Sequence, residues 1–136
     1  MKSELRRELV SLREQLEAAF SVETAQPRQA SRAASLTSSA GQCAAVAILV
    51  NRIFGGNYVS TRVEGESHWF NRILFQSNWY DVDITGDQYG LPPVQVSEMG
   101  TLYPETRLRL PEEVASETLE RADRLALKAN LSITRK

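Results

Sequence analysis

The sequence predicts an α+β fold: a central Cys-bearing helix packed on a small antiparallel sheet, with flanking N- and C-terminal helices. Three observations predict it. Both ends of the chain carry apolar residues at helical spacing. Residues 44–54 are apolar on nearly every side. Residues 57–85 fall into three strand-length runs rich in β-branched and aromatic residues. Helices set apart from a block of consecutive strands indicate α+β, not alternating βαβ units. At 136 residues the chain suits one compact domain. Its expected parts are an amphipathic helix at 1–20, a loop at 21–39, a core at 40–131 and a tail at 132–136.

In the first helix Leu5, Leu9, Leu12 and Leu16 fall on one face, and Phe20 extends it. Ser3 suits the cap and Glu4 the positive helix end. This stripe fits either the chain's own core or a second copy in a homodimer. Residues 21–39 have no apolar periodicity and are expected to form a long loop that walls a cleft. Arg28 and Arg32 in it either meet an anion or stay solvated.

The apolar helix is expected to start at Ala40, capped by Ser39, and to stop at Gly55-Gly56. Asn51 and Arg52 are expected where it emerges from cover. NYVSTRV at 57–63 predicts a strand and GES at 65–67 a turn. HWFNRILF at 68–75 and WYDVDIT at 79–85 predict two more strands, joined near Gln76-Ser77-Asn78. Gly86 to Tyr103 is rich in Gly and Pro, with a short strand at VQV. TRLRL at 106–110 suits an edge strand or a helix lead-in. Pro111, Glu112 and Glu113 are expected to open the last helix, whose stripe is Ala115, Leu119, Ala122, Leu125 and Ala126.

Composition narrows the function classes. Sixteen Lys and Arg against seventeen Asp and Glu leave a net charge of −1, so no basic face for nucleic acid is expected. The longest apolar run, Ala44 to Val50, is too short to cross a membrane. The charged start lacks the apolar stretch of a signal peptide, and one Cys cannot form an internal disulfide. A cytoplasmic protein is the expectation.

In a reducing compartment a lone Cys with a His elsewhere is a candidate nucleophile. Cys43 lies near the start of the apolar helix, where unpaired N–H groups and the helix dipole favour a thiolate. The same N–H groups, with the Gln42 side chain, could receive an oxyanion. The structural alternative is a small packed thiol in an Ala-rich helix. His68 is the only His, and it is expected at the rim of the sheet. With a two-residue turn at Gln76-Ser77, Phe75 faces Asn78, Phe70 faces Asp83 and His68 faces Thr85. His68 and Asp83 are then diagonal neighbours on one face, and Asp81 falls beside Arg72. Cys43, His68 and Asp83 fill the roles of nucleophile, base and orienting carboxylate once each. No metal or cofactor is expected: one Cys and one His are few for zinc, and FGG ends a helix where phosphate loops begin one.

Two resemblances add to this reading. The order Cys43, His68, Asp83, with HWFNRILFQSNWYDVDIT, resembles papain-like and transglutaminase-like folds. They carry the nucleophilic Cys at the start of a central helix and His and Asp on following strands. More closely, FSVET at 20–24, GQCAAVAILV at 41–50, FGG at 54–56, HWFNRI at 68–73 and DITGDQY at 83–89 resemble the YunG-like family of small bacterial proteins. ERADRLALKANL at 120–131 follows more loosely. Phe20 stands where Trp is expected, and the first helix reads as an addition ahead of the family's span. Asn71 and Gln88 fall within the match as supporting residues. Asn71 is expected on the face opposite His68, and Gln88 is expected to cap the loop after Asp83 or to line the cleft.

The expected function is therefore a cysteine-dependent hydrolase or acyl transferase, acting on an amide, ester or thioester of a peptide, a protein or a small molecule. The alternative is a protein-binding module that keeps the fold without turnover and dimerises through its first helix.

Overall fold

A computed structural model describes residues 2–21 and 42–131. The loop expected at 21–39, with Arg28, Arg32 and Ser39, lies outside the described residues apart from Ser21, as does the tail at 132–136. The described chain is α+β, with three α-helices and a five-stranded antiparallel sheet among the described residues. The helices are α1 (Lys2–Glu17), α2 (Cys43–Phe54) and α3 (Ser116–Lys128). The strands are β1 (Asn57–Val63), β2 (Glu66–Phe75), β3 (Asn78–Asp83), β4 (Gln95–Glu98) and β5 (Arg107–Arg109), in spatial order β4-β3-β2-β1-β5. The expected three-strand meander is thus flanked by VQV on one edge and TRLRL on the other.

Both hairpin turns of the meander are two residues long. Glu64 and Gly65 take φ of 53° and 79°, and Gln76 and Ser77 take 49° and 70°. Positive φ at both central positions matches the right-handed twist of the flanking strands. The first turn therefore lies one residue before the expected GES, and His68 is the third residue of β2, not its first. The second turn sets the ladder from Phe75–Asn78 to Asn71–Val82, in the phase the sequence predicts. Beyond Asp83 the chain leaves the sheet, so Thr85 does not face His68.

Alternation along the strands sorts the two faces. Tyr58, Ile73, Tyr80, Val82 and Val96 join the three helices in the larger apolar cluster. Val59 and Phe70 point the other way and pack with Tyr103. α2 lies against β2, and α3 lies against α2. Leu5, Leu9, Leu12 and Leu16 of α1 are all buried in the larger cluster. The stripe thus packs on the chain's own core, and a second copy could reach it only if α1 detached. Ser3 lies inside α1 and does not cap it, since the helix runs from Lys2.

Three further boundaries differ from expectation. α2 starts at Cys43, with Gln42 as its N-cap, rather than at Ala40. Arg52 does not mark an emerging end: it is buried and pairs with Asp123 of α3 at 2.9 Å, while Ile53 is the exposed residue. Pro111–Glu113 is a separate 3₁₀ turn, because Val114 and Ala115 are extended, and α3 begins only at Ser116. The turn closes on itself: the Glu113 carboxylate accepts the Leu110 N–H at 2.7 Å. Ala115 is accordingly exposed and outside the stripe. The Gly55-Gly56 stop has a reason at each residue. Gly55, at φ 75°, caps α2 by donating its N–H to the Asn51 carbonyl at 2.7 Å. A Cβ on Gly56 would collide with the Arg72 carbonyl oxygen.

Candidate functional site

Cys43 is the first residue of α2, half-buried and not in a disulfide. The first bond within the helix runs from the Val46 N–H to the Gln42 carbonyl at 2.9 Å. The N–H groups of Cys43, Ala44 and Ala45 precede it and have no carbonyl of their own helix to meet. Gln42 is fully buried, and its amide donates to the Ser21 carbonyl at 2.9 Å. Its side-chain oxygen has no partner among the described residues. The side chain thus ties the start of α2 to the end of the N-terminal segment.

His68 does not lie at an open rim. It is 0 % exposed on the middle strand, because β2 begins two residues before it and two tyrosines cover it. Tyr89 and Tyr103 stand edge-on to its ring, with centroids 5.2 and 5.8 Å away. Its Nε2 is 2.8 Å from Oδ2 of Asp83. This is the diagonal pair that the strand phase predicts. Directly opposite Arg72, Asp81 accepts its guanidinium at 2.7 Å, again as the phase predicts.

Asp83 is buried and accepts from four donors. Oδ2 takes His68 Nε2 and the Tyr103 hydroxyl. Oδ1 takes the Thr85 N–H at 3.0 Å and the Thr85 hydroxyl at 3.3 Å. Burial alone would raise the Asp83 pKa, but the His68 charge and these bonds outweigh it and hold the carboxyl below its usual value. For His68 burial is again the largest influence and pulls its pKa down. The charge and hydrogen bond of Asp83, with a smaller part from Cys43, overcome it and push the imidazole up to about 10. Burial raises the Tyr103 pKa, with the Asp83 charge adding to it, so the hydroxyl stays a donor.

The Cys43 thiol is the ring's other polar neighbour. The ladder between β2 and β3 ends at Asn71–Val82, so His68 lies past its end. Cys43, Val46 and Ala47 of α2 meet Asp83, Ile84 and Thr85 there around a cavity of about 10 Å³, the size of one water. The thiol interacts with the imidazole, while Nδ1 has no partner in full hydrogen-bond geometry. With Nε2 held by Asp83, Nδ1 is the ring nitrogen left without a hydrogen-bond partner among the described residues. No group of three His, Cys, Asp or Glu side chains among the described residues is placed to hold a metal ion.

The other two expected residues support the frame. Asn71, on the face opposite His68, donates to the Ala47 carbonyl at 2.8 Å and fixes α2 on the sheet. Gln88 donates to the Thr85 carbonyl at 3.1 Å and closes the turn after Asp83. In the same turn Gly86 passes so close that a Cβ would lie 3.1 Å from Asp83 Oδ2 and 2.8 Å from Gln95 Nε2. Sequence reasoning missed Tyr103 and Tyr89. Their only signal is an aromatic in a Gly- and Pro-rich loop, which does not say where the loop folds.

No helix among the described residues is long and apolar enough to cross a membrane. No curated protein and no solved structure matches the chain. A family model described as "YunG protein" matches residues 8–129. The match begins within α1, so most of that helix falls inside the family's span and is not an addition ahead of it. With nearly the whole chain matched, the protein belongs to the YunG family.

Proposed function

We propose that the protein is a cysteine-dependent hydrolase or acyl transferase, with Cys43, His68 and Asp83 as a triad in a papain-like or transglutaminase-like arrangement. One observation carries the reading: a fully buried His68 is bonded through Nε2 to Asp83, keeps Nδ1 without a hydrogen-bond partner among the described residues, and interacts with a thiol at a helix N-terminus. A protonated imidazole beside a sulfur is the setting in which cysteine attacks as its anion. Sulfur adds to the acyl carbon, and the oxygen's growing charge meets the free N–H groups of the first turn of α2. The bond to the amine, alcohol or thiol leaving group breaks as His68 gives that group its proton. The resulting thioester is released by water, whose proton returns to His68, or by an amine acceptor. Asp83 holds the ring's tautomer and stabilises its charge throughout.

The test is acylation by p-nitrophenyl acetate read by intact mass. An acetyl group on Cys43 that neutral hydroxylamine removes is expected, and His68→Ala should slow its formation about 100-fold or more. No adduct, or equal rates in both proteins, would remove the proposal. The second reading, a binding module without turnover, draws on the apolar side chains Leu74, Trp79 and Met99, which stay exposed near one hairpin. A homodimer through α1 is a weaker form of it, because that stripe is already buried.

A further inference from the structure

Arg121 is a buried cation with no ion-pair partner among the described residues. It lies in α3 and is 7 % exposed. One guanidinium nitrogen donates to the Thr118 hydroxyl at 3.0 Å, and Nε has no acceptor. The other buried arginines among the described residues meet a different fate: Arg13 is bound by Asp87, and Arg52 by Asp123. Burial lowers the Arg121 pKa and the Arg124 charge adds to that, against smaller opposing influences from its neighbours. An uncompensated buried charge is costly and marks a place where a charge is to be met.

Arg121 lines a groove of about 370 Å³. Ala44, next to Cys43 in the first turn of α2, and Trp69, next to His68, form part of its wall. Thr118, Glu113 and Glu117 complete the side toward α3. Glu113 is occupied by the Leu110 N–H and by Arg109. Glu117 is exposed in the first turn of α3, one turn ahead of Arg121. The groove therefore has acids toward solvent and one unsatisfied cation in its depth, beside the segment that carries the thiol.

We propose that this groove seats the substrate of the Cys43 site, and that Arg121 holds a carboxylate on that substrate. The proposal rests on the reading of Cys43 as a nucleophile and adds the substrate class. That class is an amide or ester bearing a carboxylate near the scissile carbonyl, with an apolar portion against Trp69 and Ala44. A guanidinium is suited to this task because its parallel donors match a carboxylate.

Because Cys43 is the only cysteine, intact mass reads its alkylation directly. Iodoacetate and iodoacetamide transfer the same CH₂ to sulfur with loss of iodide, and only the first carries a carboxylate. Arg121→Gln should slow iodoacetate about tenfold or more and leave iodoacetamide within about twofold, with Arg121→Lys in between. Glutarate, but not glutaramide, should protect wild-type Cys43 from iodoacetamide. An unchanged ratio of the two reagents in Arg121→Gln, or an equal loss for both, overturns the proposal. Slow reaction of wild type with both reagents would instead remove the nucleophile, and melting then decides the anion site by itself. Glutarate at tenfold its Kd should raise the wild-type melting temperature by roughly 4 °C and leave Arg121→Gln unmoved at matched ionic strength. No rise in wild type, or the same rise in the variant, overturns the site.

Discussion

Asp83 is the residue on which the site turns. It sits in the interior with its charge answered by an imidazole, a phenol, a backbone N–H and a hydroxyl. A buried carboxylate so met stabilises the fold only while it and the imidazole keep their charges, and this gives a pH signature. The His68 pKa lies above its ordinary 6.5, so its contribution is complete below about pH 6.5 and is lost as pH rises toward about 10. The Asp83 pKa lies below its ordinary 3.8, so its contribution is complete above that and is lost as pH falls through the folded value. Denaturant unfolding from pH 3 to 10 should therefore show the pair's greatest contribution between about pH 4 and 6.5. Asp83→Asn should lower stability there by about 3 to 5 kcal/mol and flatten the fall toward pH 10. A wild-type stability that climbs from pH 6.5 to 10, with the variant parallel to it, would contradict the charged pair.

At the scale of elements, α1 and the β2–β3 hairpin do different work. The hairpin places Asp83 and His68, and its two-residue turn sets their phase. α1 closes one side of the core and reaches the loop after Asp83. Its Arg13 donates to the Ile84 carbonyl at 2.7 Å and grips both oxygens of Asp87 at 2.9 Å. Helix and loop are thereby locked at Ile84, between Asp83 and Thr85, and at Asp87, two residues beyond Thr85. Leu9→Ala, at a position with no exposed surface, should cost about 3 kcal/mol in denaturant unfolding. A loss under about 1 kcal/mol would mean that α1 is docked loosely and that its leucines are free for another partner.

For the whole molecule, what was legible in the sequence followed from short-range geometry. Strand alternation and one tight turn were enough to put His68 beside Asp83 and Asp81 beside Arg72, since a two-residue hairpin leaves one register. The stop at Gly55-Gly56 and a short strand near VQV were legible for the same reason, whereas TRLRL reads equally as an edge strand or a helix lead-in until its pairing with β1 decides it. The burial of His68 was not, because it depends on Tyr89 and Tyr103 arriving from a loop with no period to place it. The Tyr103 hydroxyl reaches Asp83 from twenty residues away. Arg121 was hidden by its helix: an arginine on an amphipathic helix reads as solvated, and only the docking of α3 on α2 turns it inward. The start of α2 moved from Ala40 to Cys43, which placed the thiol at the first helical residue.

The central claim is that Cys43 and His68 act as one unit. Its most direct measurement is the rate at which iodoacetamide alkylates Cys43 at pH 6, for wild type and His68→Ala, beside a small free thiol. The account predicts that wild type reacts much faster than the free thiol and that the substitution abolishes the difference. Equal rates for wild type and His68→Ala would contradict it.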